Sequence, residues 1–451
     1  MAKRSALAII LAAGEGTRMK SATPKVLHHV GGLPMLGHVL RAVAASGIED
    51  IAVVVGPNAD AVSGFVAKAA PKATTHVQGE RLGTAHAVLA AREAIARGAE
   101  DVLVLYADTP LVTAKTMMRI REALADHPLV FPGFRPFSPT GYGRLILDGG
   151  RVTAIREEKD ASEEERKIGY VWPGIAGFRS DGFVAMLKQI GNTNAKGEYY
   201  LTDLVELANR GGKSVGTLEI DADEVSGVND RQQLSHAEGL FQKVMREAAM
   251  ADGATLKAPS TVWFSYDTKI GRDVTIEPNV FFGPGVTVGD NVTIRANSHI
   301  EGATIAPGAI IGPFARLRPG AVIGADVHVG NFVEVKNATL GEGAKANHLT
   351  YIGDADIGAK TNVGAGTITA NYDGFDKYRT VVGEGVSIGS NSVLVAPVNV
   401  GDGANVAAGS VIVHDVPADA LAVARGRQED KPGWARKFRE KKLAEKAARK
   451  K

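Results

Sequence analysis

Large aliphatic residues recur every six positions over the C-terminal half of the chain. Ile270, Ile276, Phe282, Val288, Ile294 and Ile300 hold the step, and after a one-residue slip Ile305, Ile311, Leu317, Ile323, Val329 and Val335 keep it. Shorter slips come near Leu340 and Ile357, and the beat resumes through Val382, Ile388, Leu394, Val400, Val406 and Ile412. A helix repeats every 3.6 residues and a half-buried strand every 2, so neither explains six. A short flat strand followed by a corner does. Three such sides close a triangular coil of about 18 residues, and each coil stacks on the last. The aliphatic residue is predicted to point into the prism. The Gly that often follows it (Gly271, Gly312, Gly401) is expected to turn the corner through its tolerance of positive φ. The small fifth residue (Val274, Ala315, Ala404) is expected to fit inside that corner. One coil cannot bury a core of its own, so the stack must be long.

The pattern before residue 229 is different. Continuous apolar runs at Ala6–Leu11, Ile51–Val55 and Val102–Leu105 read as buried parallel strands alternating with helices, and Thr74–Val77 as another strand. The chain reads as α/β (Rossmann-like) up to about residue 228. Leu234, Ala237, Phe241, Val244, Met245 and Ala248 then mark one face of a linker helix, with Asn229 or Asp230 as its cap and Gly253 as its end. This gives four segments: an α/β domain over 1–229, a linker helix over 230–252, the coil over 253–425 and a basic tail over 426–451.

Candidate chemistry sits where these patterns break. The first strand opens into Leu11-Ala12-Ala13-Gly14-Glu15-Gly16-Thr17-Arg18-Met19, followed by Pro24-Lys25. Glycines let backbone N–H groups turn toward a phosphate, and a helix starting after them adds a favourable dipole. Arg18 and Lys25 supply positive charge. No Gly-Lys-Ser/Thr follows and the third Gly of the dinucleotide fingerprint is missing, so the loop is neither. Asp108 follows the strand that ends at Tyr106, where open α/β sheets bind ligands and a metal-binding carboxylate is expected. In the coil, the run Ala346-Asn347-His348-Leu349-Thr350-Tyr351 and an insertion from Thr369 to Val381 interrupt the sixes. Insertions in solenoids are loops, and loops carry binding groups. Arg316, Arg318 and Lys336 nearby suit a sugar phosphate, and the His348 imidazole is a base at neutral pH.

Composition adds limits. The chain has 451 residues, 45% hydrophobic and 23% charged, and no Cys. Disulfides, thiolate catalysis and Cys–zinc sites are therefore excluded, and a reducing cytosol is the expected setting. Net charge is +2, yet residues 431–451 alone carry +8, so the body is mildly acidic and the tail basic. The tail mixes its charges with Ala and Glu, which reads as a solvated helix rather than an arm for nucleic acid or anionic lipid. Trp434 and Phe438 stand four apart on it and are expected to dock on the coil end or on a neighbouring subunit, with frayed final Lys/Arg residues. Lys3 and Arg4 before Ala6–Ala13 have the outline of an export signal, but the run is short and leads into the glycine turn, so it reads as the first strand. No stretch approaches the 18 or more apolar residues of a membrane span.

The six-residue repeat resembles the hexapeptide acyltransferases, whose left-handed β-helices form trimers. The loop with Pro24-Lys25 resembles the sugar-nucleotide pyrophosphorylases. Further strings match in order: Gly141-Tyr142-Gly143-Arg144, Glu157 with Lys159-Asp160, Gly197-Glu198-Tyr199-Tyr200-Leu201-Thr202-Asp203 and Gly227-Val228-Asn229. With His348-Leu349-Thr350-Tyr351 and Asn371-Tyr372-Asp373-Gly374, they make the chain similar to the bifunctional N-acetylglucosamine-1-phosphate uridylyltransferase/glucosamine-1-phosphate N-acetyltransferases from Leu11 to about Arg425. That resemblance implies an α/β nucleotidyltransferase domain joined to a left-handed parallel β-helix. It implies a homotrimer in the cytoplasm, with no nucleic-acid partner and no stable membrane insertion, that makes UDP-N-acetylglucosamine, a wall and lipopolysaccharide precursor.

Residue by residue, the resemblance implies that Leu11, Ala12, Ala13, Gly14, Gln78, Gly83, Thr84, Tyr106 and Ala107 hold the uridine nucleotide. Gly143 and Glu157 hold the sugar, Lys25 and Arg18 the phosphates, and Asp108 and Asn229 bind Mg²⁺. Arg318, Lys336, Tyr351, Asn362, Asn371 and Lys377 hold glucosamine-1-phosphate. Ala365, Tyr372, Ser390, Ala408 and Arg425 line the acetyl-CoA site, with His348 as general base. One position departs. The family places Asn before a Thr/Ser-Gly pair, whereas this chain has Trp172-Pro173-Gly174. Trp offers one donor and no acceptor, so a sugar or ribose hydroxyl is expected to be poorly paired, unless the ring stacks against the sugar or fills space and another residue makes the bond. On the first expectation, Trp172→Asn with Pro173→Thr lowers a uridylyl-side KM a few-fold. Two other readings of the chain remain: a nucleotidyltransferase for another sugar with a structural hexapeptide tail, and a non-catalytic trimeric scaffold.

Overall fold

The computed structural model describes residues 4–449. The terminal residues 1–3 and 450–451, including the tail's last two lysines, lie outside them. The described residues divide into two compact units, one of residues 4–248 with Phe264–Tyr266, the other of Ala249–Trp263 with residues 267–449.

The first unit is built on a seven-stranded sheet. Its order is Val215–Gly216, Leu129–Val130, Ala176–Arg179, Asp101–Tyr106, Ala6–Ala12, Asp50–Val55, Thr74–Val77. All strands run parallel except Ala176–Arg179, which is antiparallel to both neighbours. The first strand is apolar throughout because both faces are covered. Leu7, Ile9 and Leu11 enter one core, and Ala6, Ala8, Ile10 and Ala12 the other. From that strand the chain builds outward through Asp50–Val55 and Thr74–Val77, then returns to place Asp101–Tyr106 on the opposite side. The order therefore reverses beside the first strand, and such a point leaves a crevice at the strands' carboxyl ends. A small antiparallel sheet of Val171–Trp172, Gly143–Asp148 and Arg151–Arg156 stands apart from the main one.

The helix expected as a linker runs Arg231–Ala251. Its cap is Asp230, whose Oδ1 accepts the Gln233 N–H at 2.8 Å. It is not a free linker. Ala237 and Phe241 pack with Val30, Met35 and Val228 of the first unit, and Leu234 and Met245 lie against the same cluster. Val244, expected on this face, is 60% exposed instead. It lies one position before Met245, which occupies that turn's inward place.

The second unit is the coil. Its strands form three parallel sheets of ten, eight and eight strands, one strand per side of each turn. Residues eighteen apart pair, as in Ile276 with Ile294, and the slips appear as seventeen-residue steps such as Val288 with Ile305. The insertion lengthens one turn, so that Ile357 pairs with Val382. From Ile276 to Ile412 the periodic aliphatics are buried. Ile270, on the first turns, is only half-buried.

The corners differ from expectation. Gly271 and Gly401 do not have positive φ. They are glycine because the next turn passes too close: a Cβ on Gly401 would stand 2.5 Å from the Ala418 nitrogen, and one on Gly271 2.7 Å from the Gly289 carbonyl carbon. Gly312 does have the expected φ, at 92°. The left-handed residue usually falls three places after the aliphatic one, at Asp273, Asn279, Asn291, Asn297, Asp326 and Asn391. Asn and Asp tolerate that region because a short polar side chain hydrogen-bonds locally.

The C-terminal helix runs Trp434–Ala448 and buries none of its residues. Trp434 and Phe438 stack on each other, with centroids 5.1 Å apart. They stand 59% and 45% exposed, so the expected docking on the coil end is not seen in this chain.

Candidate functional site

The crevice of the first unit is a cavity of about 330 Å³ lined by Leu11, Ala12, Ala13, Gly14, Lys25, Gln78, Gly83, Thr84, Tyr106, Asp108 and Asn229. Eleven of the residues predicted from the sequence thus meet in one place. Local chemistry explains how they get there. Gly16 has φ 65°, and a Cβ on it would stand 2.5 Å from the Lys25 Cβ, so glycine lets the loop fold onto the lysine stem. Gly83 has φ 113°, and a Cβ there would meet the Tyr199 carbonyl oxygen at 2.5 Å. Gln78 is buried and donates to the Gly83 carbonyl at 3.1 Å. The Val228 N–H donates to the Asp108 carbonyl at 2.9 Å, which sets Asn229 beside Asp108.

Lys25 is the centre of the polar cluster. Its ammonium pairs with Asp108 Oδ2 and donates to Asn229 Oδ1 at 3.2 Å. A carboxylate and an amide oxygen therefore converge on one cation position. These are hard donors of the kind Mg²⁺ takes together with substrate phosphates, so the residues present fit that ion. Among the described residues no group of three or more His, Cys, Asp and Glu stands together as a metal site.

Other predicted residues lie nearby rather than in the lining. Ala107 is fully buried, and its N–H ties the strand end to the Leu11 carbonyl at 3.1 Å. Arg18 is exposed on the turn Thr17–Met19. That turn is a single three-residue 3₁₀ piece, so the expected helix dipole behind the glycine loop is missing. Glu157 lines a second cavity of about 540 Å³ with Asp160, Tyr200, Thr202 and Asp203, among others. Burial pushes the Glu157 carboxyl above its ordinary range, partly offset by Lys196 and by the Thr202 hydroxyl. A Cβ on Gly143 would lie 3.6 Å from Glu157 Oε1, so these two predicted residues are neighbours. Tyr106 lines the first cavity. Burial pushes its phenol strongly up, and the charges of Glu157 and Asp108 add to that.

Trp172 is a core residue, 6% exposed. Its Nε1–H donates to the Ile175 carbonyl at 2.8 Å, and its ring packs edge-on to Tyr106 and tilted on Phe131. The indole donor is spent inside the protein. Of the two expectations for this position, the geometry favours the ring as filler.

Sequence reasoning missed Arg81. Its Nε donates to the Ala13 carbonyl at 2.9 Å and its Nη1 pairs with Glu15 at 2.6 Å, which staples the glycine loop from outside. Its charge between Gln78 and Gly83 was the available signal.

The second cluster is on the coil. His348 ends the strand Lys345–His348, and its Nδ1 lies 2.8 Å from Asn331 Oδ1. Arg318 Nη1 donates to Glu334 at 2.8 Å, and Glu334 stands opposite Tyr351 in the next turn. Lys336 and Lys377 touch, and contact with Lys336 lowers the pKa of Lys377. Two cations in contact make a place for an anion. Asn371 is buried and donates to Asp354, which also accepts from Asn337 at 2.6 Å. Burial raises the Asp354 pKa, but these two hydrogen bonds and the charges of Lys336 and Lys377 hold it below the ordinary range. Glu334, Asp354 and Asn331 are further residues the sequence reading missed.

Ala365, Ser390 and Ala408 follow one another along one corner of successive turns. The Asn391 N–H donates to the Ala365 carbonyl at 2.7 Å, and the Gly409 N–H to the Ser390 carbonyl at 2.8 Å. Arg425 Nη1 reaches the Ala408 carbonyl at 3.0 Å. The Gly366 N–H donates to the His348 carbonyl at 3.2 Å, so this corner begins one turn beyond the histidine. Tyr372 is 60% exposed on the inserted loop, and Asn362 is exposed on the turn that follows His348.

Residues 8–162 match the MobA-like NTP transferase domain, 267–302 the bacterial transferase hexapeptide repeats, and 299–400 the GMPPB C-terminal domain. Whole-chain relatives carry the name bifunctional protein GlmU. The Azorhizobium caulinodans protein is 56% identical over 440 residues, covering 97% of this chain and 98% of the relative. The Agrobacterium fabrum protein is 53% identical over 450 residues, covering 100% and 99%. The Brucella canis protein is 56% identical, with the same coverage.

Proposed function

Because the chain belongs to the family of bifunctional GlmU proteins, we propose that its two polar clusters are the two active sites of UDP-N-acetylglucosamine synthesis. The chain acetylates glucosamine-1-phosphate with acetyl-CoA and transfers a uridylyl group from UTP to the N-acetylglucosamine-1-phosphate so formed. The observation that carries this reading is that chemically different clusters stand in separate compact units. One centres on Lys25, Asp108 and Asn229, the other on His348.

In the coil, His348 takes a proton from the sugar's amine, which attacks the thioester carbonyl while the thiolate of CoA leaves. Lys336 and Lys377 hold the sugar's phosphate, with Arg318, Tyr351, Asn362 and Asn371 around the sugar. The corner of Ala365, Ser390 and Ala408 carries acetyl-CoA, with Tyr372 and Arg425 at its ends.

In the first unit, the cavity holds UTP, and Gly143 and Glu157 hold the sugar. A phosphate oxygen of N-acetylglucosamine-1-phosphate attacks the α-phosphorus of UTP, and pyrophosphate leaves. Lys25 and Arg18 offset the phosphate charge, which is most of what such a transfer asks of a protein. Asp108 and Asn229 would hold Mg²⁺, which supplies further neutralising charge when bound. The coil's flat sides support a homotrimer with acetyl sites between neighbouring prisms. The small-molecule substrates, UTP and acetyl-CoA, support a cytoplasmic setting for the reaction. No helix among the described residues is long and apolar enough to cross a membrane.

Acetyl-CoA and glucosamine-1-phosphate together should release thiol, and addition of UTP should then give UDP-N-acetylglucosamine. Absence of thiol release, with uridylyl transfer intact, would leave the hexapeptide region a structural role only.

A further inference from the structure

His348 is not held by its own turn alone. It ends the strand Lys345–His348, and Asn331 ends the strand His328–Asn331 of the preceding turn. The two strands pair in parallel with Asn331 opposite His348, so the stacking of coils sets a carboxamide against the imidazole. Asn331 Oδ1 lies 2.8 Å from His348 Nδ1. An amide oxygen accepts and does not donate. With the carboxamide oxygen facing the ring, the ring carries its hydrogen on Nδ1, which leaves the lone pair on Nε2.

The backbone under the ring is fixed as well. The His348 carbonyl accepts from the Thr350 hydroxyl at 2.7 Å and from the Gly366 N–H at 3.2 Å. Resting on the reading of His348 as general base, we propose that Asn331 is a positioning residue for acetyl transfer. It locks His348 in the Nδ1–H tautomer and presents Nε2 to the amine of the sugar phosphate.

The surrounding charges suit a neutral partner. His328 lies on the Asn331 strand, Lys345 on the His348 strand, and the next strand of the same sheet, Asn362–Val363, has no titratable group. These three strands carry no carboxylate. An Asp at 331 would draw the proton onto the ring and hold it there, where a base must be free. An Asn orients the ring without that effect.

The test uses the full-length protein with Asn331→Leu, Asn331→Asp and His348→Ala. Asn331→Leu should lower kcat for acetyl transfer about 10- to 100-fold, the range seen when a metal-bound histidine loses its orienting partner, with both KM values little changed. The ¹⁵N NMR signals of His348 should move from the Nδ1–H form toward the Nε2–H form. Asn331→Asp keeps the acceptor, so the tautomer should stay. Its charge raises the ring's pKa, and the acid limb of kcat/KM should move up by about one pH unit. Wild-type kcat and an unchanged tautomer signal in Asn331→Leu would overturn the proposal, as would an Nε2–H form in the wild type. His348→Ala separates this from the base reading. Acetyl transfer surviving in that variant removes the base, while the ¹⁵N signals of wild type and Asn331→Leu still report on the contact itself.

Discussion

At the residue scale, Trp172 and Asp203 show how burial redirects a side chain's chemistry. Trp172 lies between Tyr106 and Phe131 with its N–H committed to Ile175. Removing a buried indole typically costs about 3–5 kcal/mol. The double change Trp172→Asn with Pro173→Thr should therefore lower the Tm of the first unit and should not lower either uridylyl-side KM. A few-fold drop in KM at unchanged Tm would restore the unpaired-hydroxyl reading.

Asp203 has its carboxyl pushed up to about 6, first by burial and then by Glu206. Between roughly pH 4, where the unfolded carboxyl titrates, and pH 6 the folded state holds a proton that the unfolded state has lost. Stability from this group therefore falls as pH rises through that window and stays lost above it. Partial solvent exposure reduces the effect. Asp203→Asn should raise Tm by about 2–4 °C at pH 8, with the gain gone near pH 4. A thermal scan at both pH values checks it, and an equal shift at both would contradict the titration account.

Lys25 and Asp108 were legible as candidates because one follows a glycine string and the other a strand end, whereas Asn229 joined them only through the resemblance. Arg81 and Asn331 were not, because what gives them meaning is a distant backbone carbonyl or the adjacent coil.

At the element scale, the six-residue beat read directly into the coil, since a buried side must repeat wherever the backbone repeats. The corners did not read as simply. Periodicity marks which glycines recur, but not whether φ or a close neighbouring turn demands them, and Gly401 is a case of the second. The helix Arg231–Ala251 was found from its stripe, yet its partner was not, because Val30 and Met35 lie two hundred residues upstream. That packing decides where the chain can be truncated. A chain ending at residue 229 strips Phe241 from Val30 and Met35 and should aggregate or melt early. A chain ending at Tyr266 keeps the helix and also Ser265, whose hydroxyl donates to the Gly31 carbonyl at 3.0 Å. It should be a stable monomer by light scattering, retain uridylyl transfer and lack acetyl transfer. Equal stability of the two truncated chains would show that the helix contributes nothing to the first unit.

At the scale of the whole molecule, two chemistries share one chain. The Lys25–Asp108–Asn229 cluster, proposed to handle phosphate, sits at the switch point of an α/β sheet, and the His348 imidazole sits on a stacked coil. The measurement that tests this most directly follows both products in Lys25→Ala and His348→Ala, supplied with UTP, acetyl-CoA and glucosamine-1-phosphate. Lys25→Ala should lower uridylyl transfer by about 10²-fold or more and accumulate N-acetylglucosamine-1-phosphate. His348→Ala should lower acetyl transfer by about 10²–10⁴, yet still convert added N-acetylglucosamine-1-phosphate to UDP-N-acetylglucosamine at the wild-type rate. Loss of both activities in either folded variant would contradict the assignment of two separate sites.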